Sequence, residues 1–368
     1  MKRIFACVAL VLAGCGTAER TGMTAAEARA MIAGYIPAGV QDRDGWATDI
    51  HTALAVLKIP VTPDNVCAIV AVTEQESSFR ADPAVPNLAA IAWGEIERQR
   101  EKMGIPKIAL DAALSIKSTD GRTYRERIDA AKTERELSDT FEDLIGRVPL
   151  GRTFFEDRNP VRTGGPMQVS VVYARAHAQA KPYPYPVLET LRDEVFTRRG
   201  GMYFGIAHLL DYSAPYDRYI YRYADYNAGH YASRNAAFQS ALASVSDSKL
   251  ALDGDLVVPR SATPGATESA ARAIAAKLGM GNADIRRDLE TGTRREFETT
   301  TLYRRVFELA EAPGKALPRA VVPSIELQSP KFTRRLTTRW FAERVVQRHR
   351  QCLSRGKLAM APEPWPAF

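Results

Sequence analysis

The stretch Thr62-Pro63-Asp64-Asn65-Val66-Cys67-Ala68-Ile69-Val70-Ala71-Val72-Thr73-Glu74-Gln75-Glu76-Ser77-Ser78-Phe79 decides how the rest of the chain is read. It opens as a helix opens, with a hydroxyl N-cap, proline at the first helical position and an acid in the first turn. Val66, Ile69, Val70 and Thr73 then share one side. Ten residues past Val66, at about 100° per residue, Glu76 lands on the edge of that apolar stripe. Asp82-Pro83 marks the stop. Glu74 points about 160° away from Glu76 and is expected in solvent. A carboxyl at the end of a largely apolar helix loses hydration, which disfavours its charged form and suits a general acid. The competing reading of these residues is a surface glutamate near a helix end.

Upstream, a short helical patch at Ala25 to Ile32 interrupts the tether; Trp46, Ile50, Leu54 and Leu57 then recur at near-helical spacing, and organised structure is expected from about residue 46. Downstream, Asn159 to Val169 contains Gly164-Gly165 and two prolines before an apolar run, the composition of a tight turn delivering Met167 and Gln168 to a helix mouth. A solvent-facing Gln168 at a plain helix start is the alternative. Next come a helical stretch, Gly201 to Leu210, and an aromatic-rich run, Tyr212 to Tyr223. Ala224-Asp225-Tyr226-Asn227-Ala228-Gly229 then closes the region. The tyrosines between 212 and 226 could stack on sugars or pack between helices.

In chain order, Glu76-Ser77-Ser78-Phe79, Gly165-Pro166-Met167-Gln168 and Tyr226-Asn227-Ala228-Gly229 resemble the signature of the lytic transglycosylases. These lysozyme-like enzymes of the soluble lytic murein transglycosylase superfamily cut the glycan strands of bacterial cell wall. The resemblance implies that Glu76 is the sole catalytic acid/base and that Ser77 helps to orient it. It implies a sugar-binding groove formed by Met167, Gln168, Tyr226 and Asn227, with Met167 packing beneath and Ala228 and Gly229 allowing close backbone approach. Pro166 in the variable place and Asp225 before Tyr226 depart from the pattern. A larger departure is the stretch about 84–158, mostly helical in periodicity, read as an insertion at the rim of the cleft, where additions are tolerated. The chain as a whole also looks like uncharacterised bacterial lipoproteins whose core resembles this enzyme family.

The amino terminus gives a destination. Met1-Lys2-Arg3 precedes a short apolar stretch, Ile4 to Leu12, too brief to span a bilayer as a mature helix. Leu12-Ala13-Gly14-Cys15 resembles a bacterial lipobox, in which Cys15 is diacylated. The alternative is an ordinary cleaved secretory signal. Gly16 after the cysteine favours, by analogy with enteric bacteria, the outer membrane. The protein is therefore expected to be lipid-anchored in the cell envelope, on the periplasmic face of that membrane.

Composition is that of a globular chain: 45% hydrophobic and 25% charged over 368 residues. The net charge of +7 becomes +5 once Lys2 and Arg3 leave with the signal. Nine Lys or Arg face one acid, Glu343, between Lys331 and Lys357. That basic face suits an anionic envelope polymer or lipid surface, or is simply a solvated helix face. Nucleic acid is not an expected partner of an exported protein. Cys67 and Cys352 are the only thiols left after the signal and the lipid site; they could pair in an oxidising compartment or stay buried and free. Leu252 to Leu256 reads as a turn, since its acids lack the spacing of a calcium loop. The five histidines are scattered without ligand spacing, and no phosphate loop or nucleophile elbow appears, so neither metal nor coenzyme is expected.

These readings give a mainly α protein. A signal peptide occupies 1–14 and a tether 15–45. A lysozyme-like domain follows at 46–240, with its helical insertion, and then a helical extension over 241–368. The expected reaction is cleavage of the β-1,4 bond between N-acetylmuramic acid and N-acetylglucosamine, leaving a 1,6-anhydro product. Two rivals stand beside it: a hydrolytic muramidase, and a non-catalytic wall-binding or scaffold lipoprotein.

Overall fold

The computed structural model describes residues 22–147, 153, 155, 158–187, 189–311, 316–327 and 335–359, which form seventeen helices and two pairs of two-residue strands. The fold is mainly α, as the periodicity predicts. The first three helices are α1 (Ala25–Tyr35), α2 (Arg43–Val56) and α3 (Pro63–Glu76). α3 begins as expected: the Thr62 side chain accepts the Asn65 N–H at 3.2 Å, and Pro63 follows. Every residue from Val66 to Thr73 is buried, so the one-sided stripe is part of a helix enclosed all round.

What encloses it comes from both ends of the chain. α10 (Arg198–Leu210), α11 (Tyr219–Ala228) and the last helix, α17 (Thr338–Ala359), join α1 and α2 around α3. α17 makes the most extensive packing with α3, and Phe341, Ala342, Val345 and Cys352 lie in this central core. Cys352 is bonded to Cys67 of α3, with an S–S distance of 2.00 Å and Cα atoms 5.5 Å apart. The expected boundary at residue 240 is therefore crossed, because the end of the chain is a structural part of the first core.

The expected tether also ends early. Thr24 and Glu27 form a capping box that starts α1, and Ile32 and Tyr35 are buried against the core. The helical patch expected at Ala25 to Ile32 is present and runs on to Tyr35; with only a few apolar anchors among small residues, it does not announce that it packs into the core. The signal segment 1–14 and Cys15 lie outside the described residues.

The stretch after α3 is helical as predicted. It comprises α4 (Leu88–Lys102), α5 (Lys107–Leu114), α6 (Tyr124–Ala130) and α7 (Glu134–Gly146), with a small core of Leu114, Tyr124 and Ile128. Strands β1 (Thr163–Gly164) and β2 (Val169–Ser170) pair antiparallel, and α8 (Val171–Ala180) and α9 (Leu191–Val195) lead into α10. α12 (Ala232–Ser246) then bridges to a second core with α13 (Ala266–Ala273), α14 (Ala275–Leu278), α15 (Asn282–Glu290) and α16 (Thr301–Ala310). Phe238, Leu242, Ile285, Phe297 and Phe307 fill it. Strands β3 (Glu326–Leu327) and β4 (Leu336–Thr337) flank the return to α17.

Candidate active site

Glu76 is the last residue of α3 and is half-buried. The chain turns sharply after it: Ser78 and Phe79 both adopt left-handed backbone, with φ of 51° and 60°. Two such residues in succession cost on the order of 1–3 kcal/mol each. Phe79 offsets part of this by burying its ring edge-on against Trp46 of α2, 5.3 Å between centroids. Ser77 is buried, and its hydroxyl donates to the Thr73 carbonyl at 3.1 Å. Its side chain thus fixes the end of the helix.

The second string is a tight hairpin turn. Gly165 has φ 71°, and a Cβ there would lie 2.1 Å from the Val195 carbonyl oxygen, so no other residue fits. The Gln168 N–H donates to the Gly165 carbonyl at 3.1 Å, and Gln168 itself has φ 50°. This geometry drives Met167 into the core, where it is fully buried against Gly205 of α10; a Cβ on that glycine would come within 2.5 Å of it. Met167 therefore cannot offer its side chain to a sugar; it belongs to the groove only as the packing beneath it, and a direct substrate contact is excluded. Gln168 remains half-exposed. Its amide makes only long contacts, 3.4 Å to both Thr163 and the Gly165 carbonyl, at the outer limit of useful hydrogen bonds.

The third string ends α11. The Tyr226 phenol donates to the Met167 carbonyl at 2.5 Å. Burial holds that phenol well above its ordinary pKa, and the nearby charge of Glu76 pushes in the same direction. The three strings therefore meet at one place. Tyr226 is 9% exposed and its hydroxyl is committed, so it acts as a strut between strings instead of a sugar contact. Asn227, next along, is exposed, and its side-chain oxygen accepts the Thr338 hydroxyl of α17 at 3.2 Å. Gly229 has φ 104° with nothing within 4 Å of a hypothetical Cβ, so it serves the turn and not a close approach.

A family model described as "Protein of unknown function (DUF1615)" matches residues 39–355. The chain belongs to this family. It is also similar to "Uncharacterized protein YaiW" of Escherichia coli (strain K12), 51% identical over 349 residues, or 94% of this chain and 95% of that protein. No solved structure matches. Neither description names an activity, so the functional reading rests on the site.

Several residues behind the site are not marked by any local motif. Asp225 is fully buried and accepts from the phenols of Tyr212 (3.1 Å) and Tyr216 (2.7 Å) and from the N–H groups of Tyr231 (3.0 Å) and Ser233 (2.7 Å). Burial raises its pKa despite these bonds. Most of the tyrosines are likewise used internally: Tyr219 donates to Asn65, and Tyr223 bonds His349. The histidines are not all scattered in space. His177, His208 and His230 share an aromatic cluster with Tyr173, and the stacked rings of His208 and His230 lie 4.6 Å apart. His208 Nε2 sits 3.2 Å from the Tyr226 carbonyl oxygen. Among the described residues, no group of three or more His, Cys, Asp or Glu could hold a metal ion.

Proposed function

We propose that this protein is a peptidoglycan lytic transglycosylase, anchored through a lipidated Cys15 to the periplasmic face of the outer membrane. The observation that carries the reading is the junction of Glu76, the Met167–Gln168 turn and Tyr226. The Tyr226–Met167 bond ties the second and third strings together, and Glu76 lies near enough for its charge to act on the Tyr226 phenol. Gln168 and Asn227 offer exposed or half-exposed amides beside it, suited to the N-acetyl and hydroxyl groups of a glycan.

The chemistry needs one carboxyl, where most glycosidases use two. Protonated Glu76 gives its proton to the glycosidic oxygen between N-acetylmuramic acid and N-acetylglucosamine, and the C1–O bond breaks. The substrate's own N-acetyl oxygen bonds to C1 and carries the positive charge. The Glu76 carboxylate then takes the proton from the C6 hydroxyl, O6 bonds to C1, and the N-acetyl oxygen leaves. A 1,6-anhydro end forms and Glu76 is protonated again. No metal or coenzyme enters.

Purified cell-wall sacculi with mass analysis of released fragments test this. Wild type is expected to yield anhydro ends, and Glu76→Gln to lose 10²–10⁴-fold of the activity or more, the usual share of general acid–base catalysis. Reducing ends would indicate a muramidase. A second reading, a wall-binding lipoprotein without turnover, is favoured by the internal commitment of the Ser77 and Tyr226 hydroxyls. Co-sedimentation with sacculi and no released fragments would establish it instead.

A further inference from the structure

A cavity of about 560 Å³ lies at the opposite end of α3 from Glu76, between the α2–α3 junction and the loop from Leu210 to Tyr219. Its volume is that of a small-molecule site, which typically spans roughly 300–1,000 Å³. Four cations line it: Lys58, Lys181, Arg218 and Arg222. Lys181 is neutralised by Asp211 at 2.6 Å, and that carboxylate also receives His177 at 3.1 Å. The other three form no ion pair among the described residues. Arg222 lies over the Tyr212 ring at 4.9 Å and makes only long bonds, 3.4 and 3.3 Å, to the carbonyls of Tyr212 and Ala214. A planar guanidinium held so loosely, flanked by two further positive charges, is organised to receive a compact anion with several acceptor oxygens.

The remaining polar groups narrow the ligand. Asp217 also lines the cavity and is exposed without an ion-pair partner among the described residues. Its carboxylate would repel a bare polyanion but can accept from a hydroxyl. Ser213 adds a hydroxyl of its own. We propose that this cavity binds a polyol phosphate, a phosphate ester carrying free hydroxyl groups, with Arg222, Arg218 and Lys58 on the phosphate and Asp217 on the hydroxyls. A soluble sugar or glycerol phosphate and the headgroup of an anionic glycerolipid share this chemistry. The site is independent of the Glu76 reaction.

The test uses the whole chain carrying Cys15→Ser, so that no lipid anchor contributes. Glycerol 3-phosphate is titrated calorimetrically, and vesicles containing phosphatidylglycerol are compared with phosphatidylcholine vesicles by co-sedimentation. Saturable binding of the ester, or binding to phosphatidylglycerol vesicles alone, is expected, and which of the two occurs identifies the source. Arg222→Ala should weaken it about tenfold or more, one charge-assisted contact being worth at least 1.4 kcal/mol. Lys58→Glu with Arg218→Glu, both at exposed positions, should abolish it without disturbing the fold. Glu76→Gln should bind as wild type does. No binding of either probe, binding unaltered in both variants, or equal binding of sulfate overturns the proposal.

Discussion

Glu74 and Glu76 lie two residues apart on one helix, both half-buried. The helical angle between them is legible in the sequence, and from it Glu74 is expected in solvent. It does not say what waits there. In place of solvent, Glu74 meets Arg348 at 3.0 Å and Arg355 at 3.4 Å, both from α17. Glu74→Gln should therefore leave turnover within severalfold but lower the melting temperature, whereas Glu76→Gln should do the reverse. The named groove residues divide by the same logic. Gln168→Ala and Asn227→Ala remove exposed or loosely held amides and should keep stability within about 1 kcal/mol while weakening glycan binding. Tyr226→Phe leaves the buried Met167 carbonyl without its donor and should cost about 1–3 kcal/mol in denaturant unfolding. Equal destabilisation by Asn227→Ala and Tyr226→Phe would place Asn227 in the scaffold. Glu76, Gln168 and Asn227 are readable because local strings announce them. The Tyr226–Met167 bond is not, because its partners are brought together only by tertiary packing.

Elements with strong end signals are the ones the sequence predicts well. Thr62 and Pro63 start α3, and the stripe Trp46, Ile50, Leu54, Leu57 is buried as its spacing requires. The histidine cluster carries no such signal, since His208 sits on α10 and His230 follows α11. Its consequence is a pH dependence. Burial, helped by the charge His230 would carry, pushes His208 down to about 4, and burial also lowers His230. A histidine with a depressed folded pKa binds fewer protons folded than unfolded. It therefore leaves stability intact above about 6.5 and erodes it as pH falls toward about 4. For His208 that loss is on the order of 3 kcal/mol across the window. Thermal melts from pH 7 to 4 should show the decline, and His208→Leu should flatten it while lowering the plateau. A pH-independent melting temperature over that range would contradict the cluster's neutral state. The disulfide belongs to this scale too, because it fastens α17 to α3 across 285 residues. Reduction should cost about 2–5 kcal/mol, the range for crosslinks that close long loops. Native protein should show neither Cys67 nor Cys352 to a thiol reagent until it is reduced.

At the scale of the whole molecule, the fold class and the helical character of the insertion are legible, but the division into units is not. Periodicity reports which residues will be buried, not which distant segment will bury them. The last helix reads as a basic extension, yet its apolar side completes the first core and its arginines hold Glu74. No helix among the described residues is long and apolar enough to cross a membrane. The proposed localisation attaches the protein through Cys15, and Cys15→Ser should abolish acyl labelling and release the protein from the membrane fraction. Truncation gives the sharper test of the architecture. A chain ending at residue 240, the boundary suggested by motif positions, lacks α17 and leaves α3 exposed along the face that Phe341, Ala342 and Val345 cover. Losing several such apolar side chains at about 1.5–3 kcal/mol each is comparable to the whole stability of a typical domain, about 5–15 kcal/mol. That fragment should be insoluble or molten, without a cooperative thermal transition by circular dichroism. Co-expressing it with a separate peptide spanning 335–359 should restore a cooperative melt, and the restoration should be weaker when the peptide carries Cys352→Ser. A fragment ending at 240 that melts cooperatively alone would show that α17 is an accessory to the first core and not part of it.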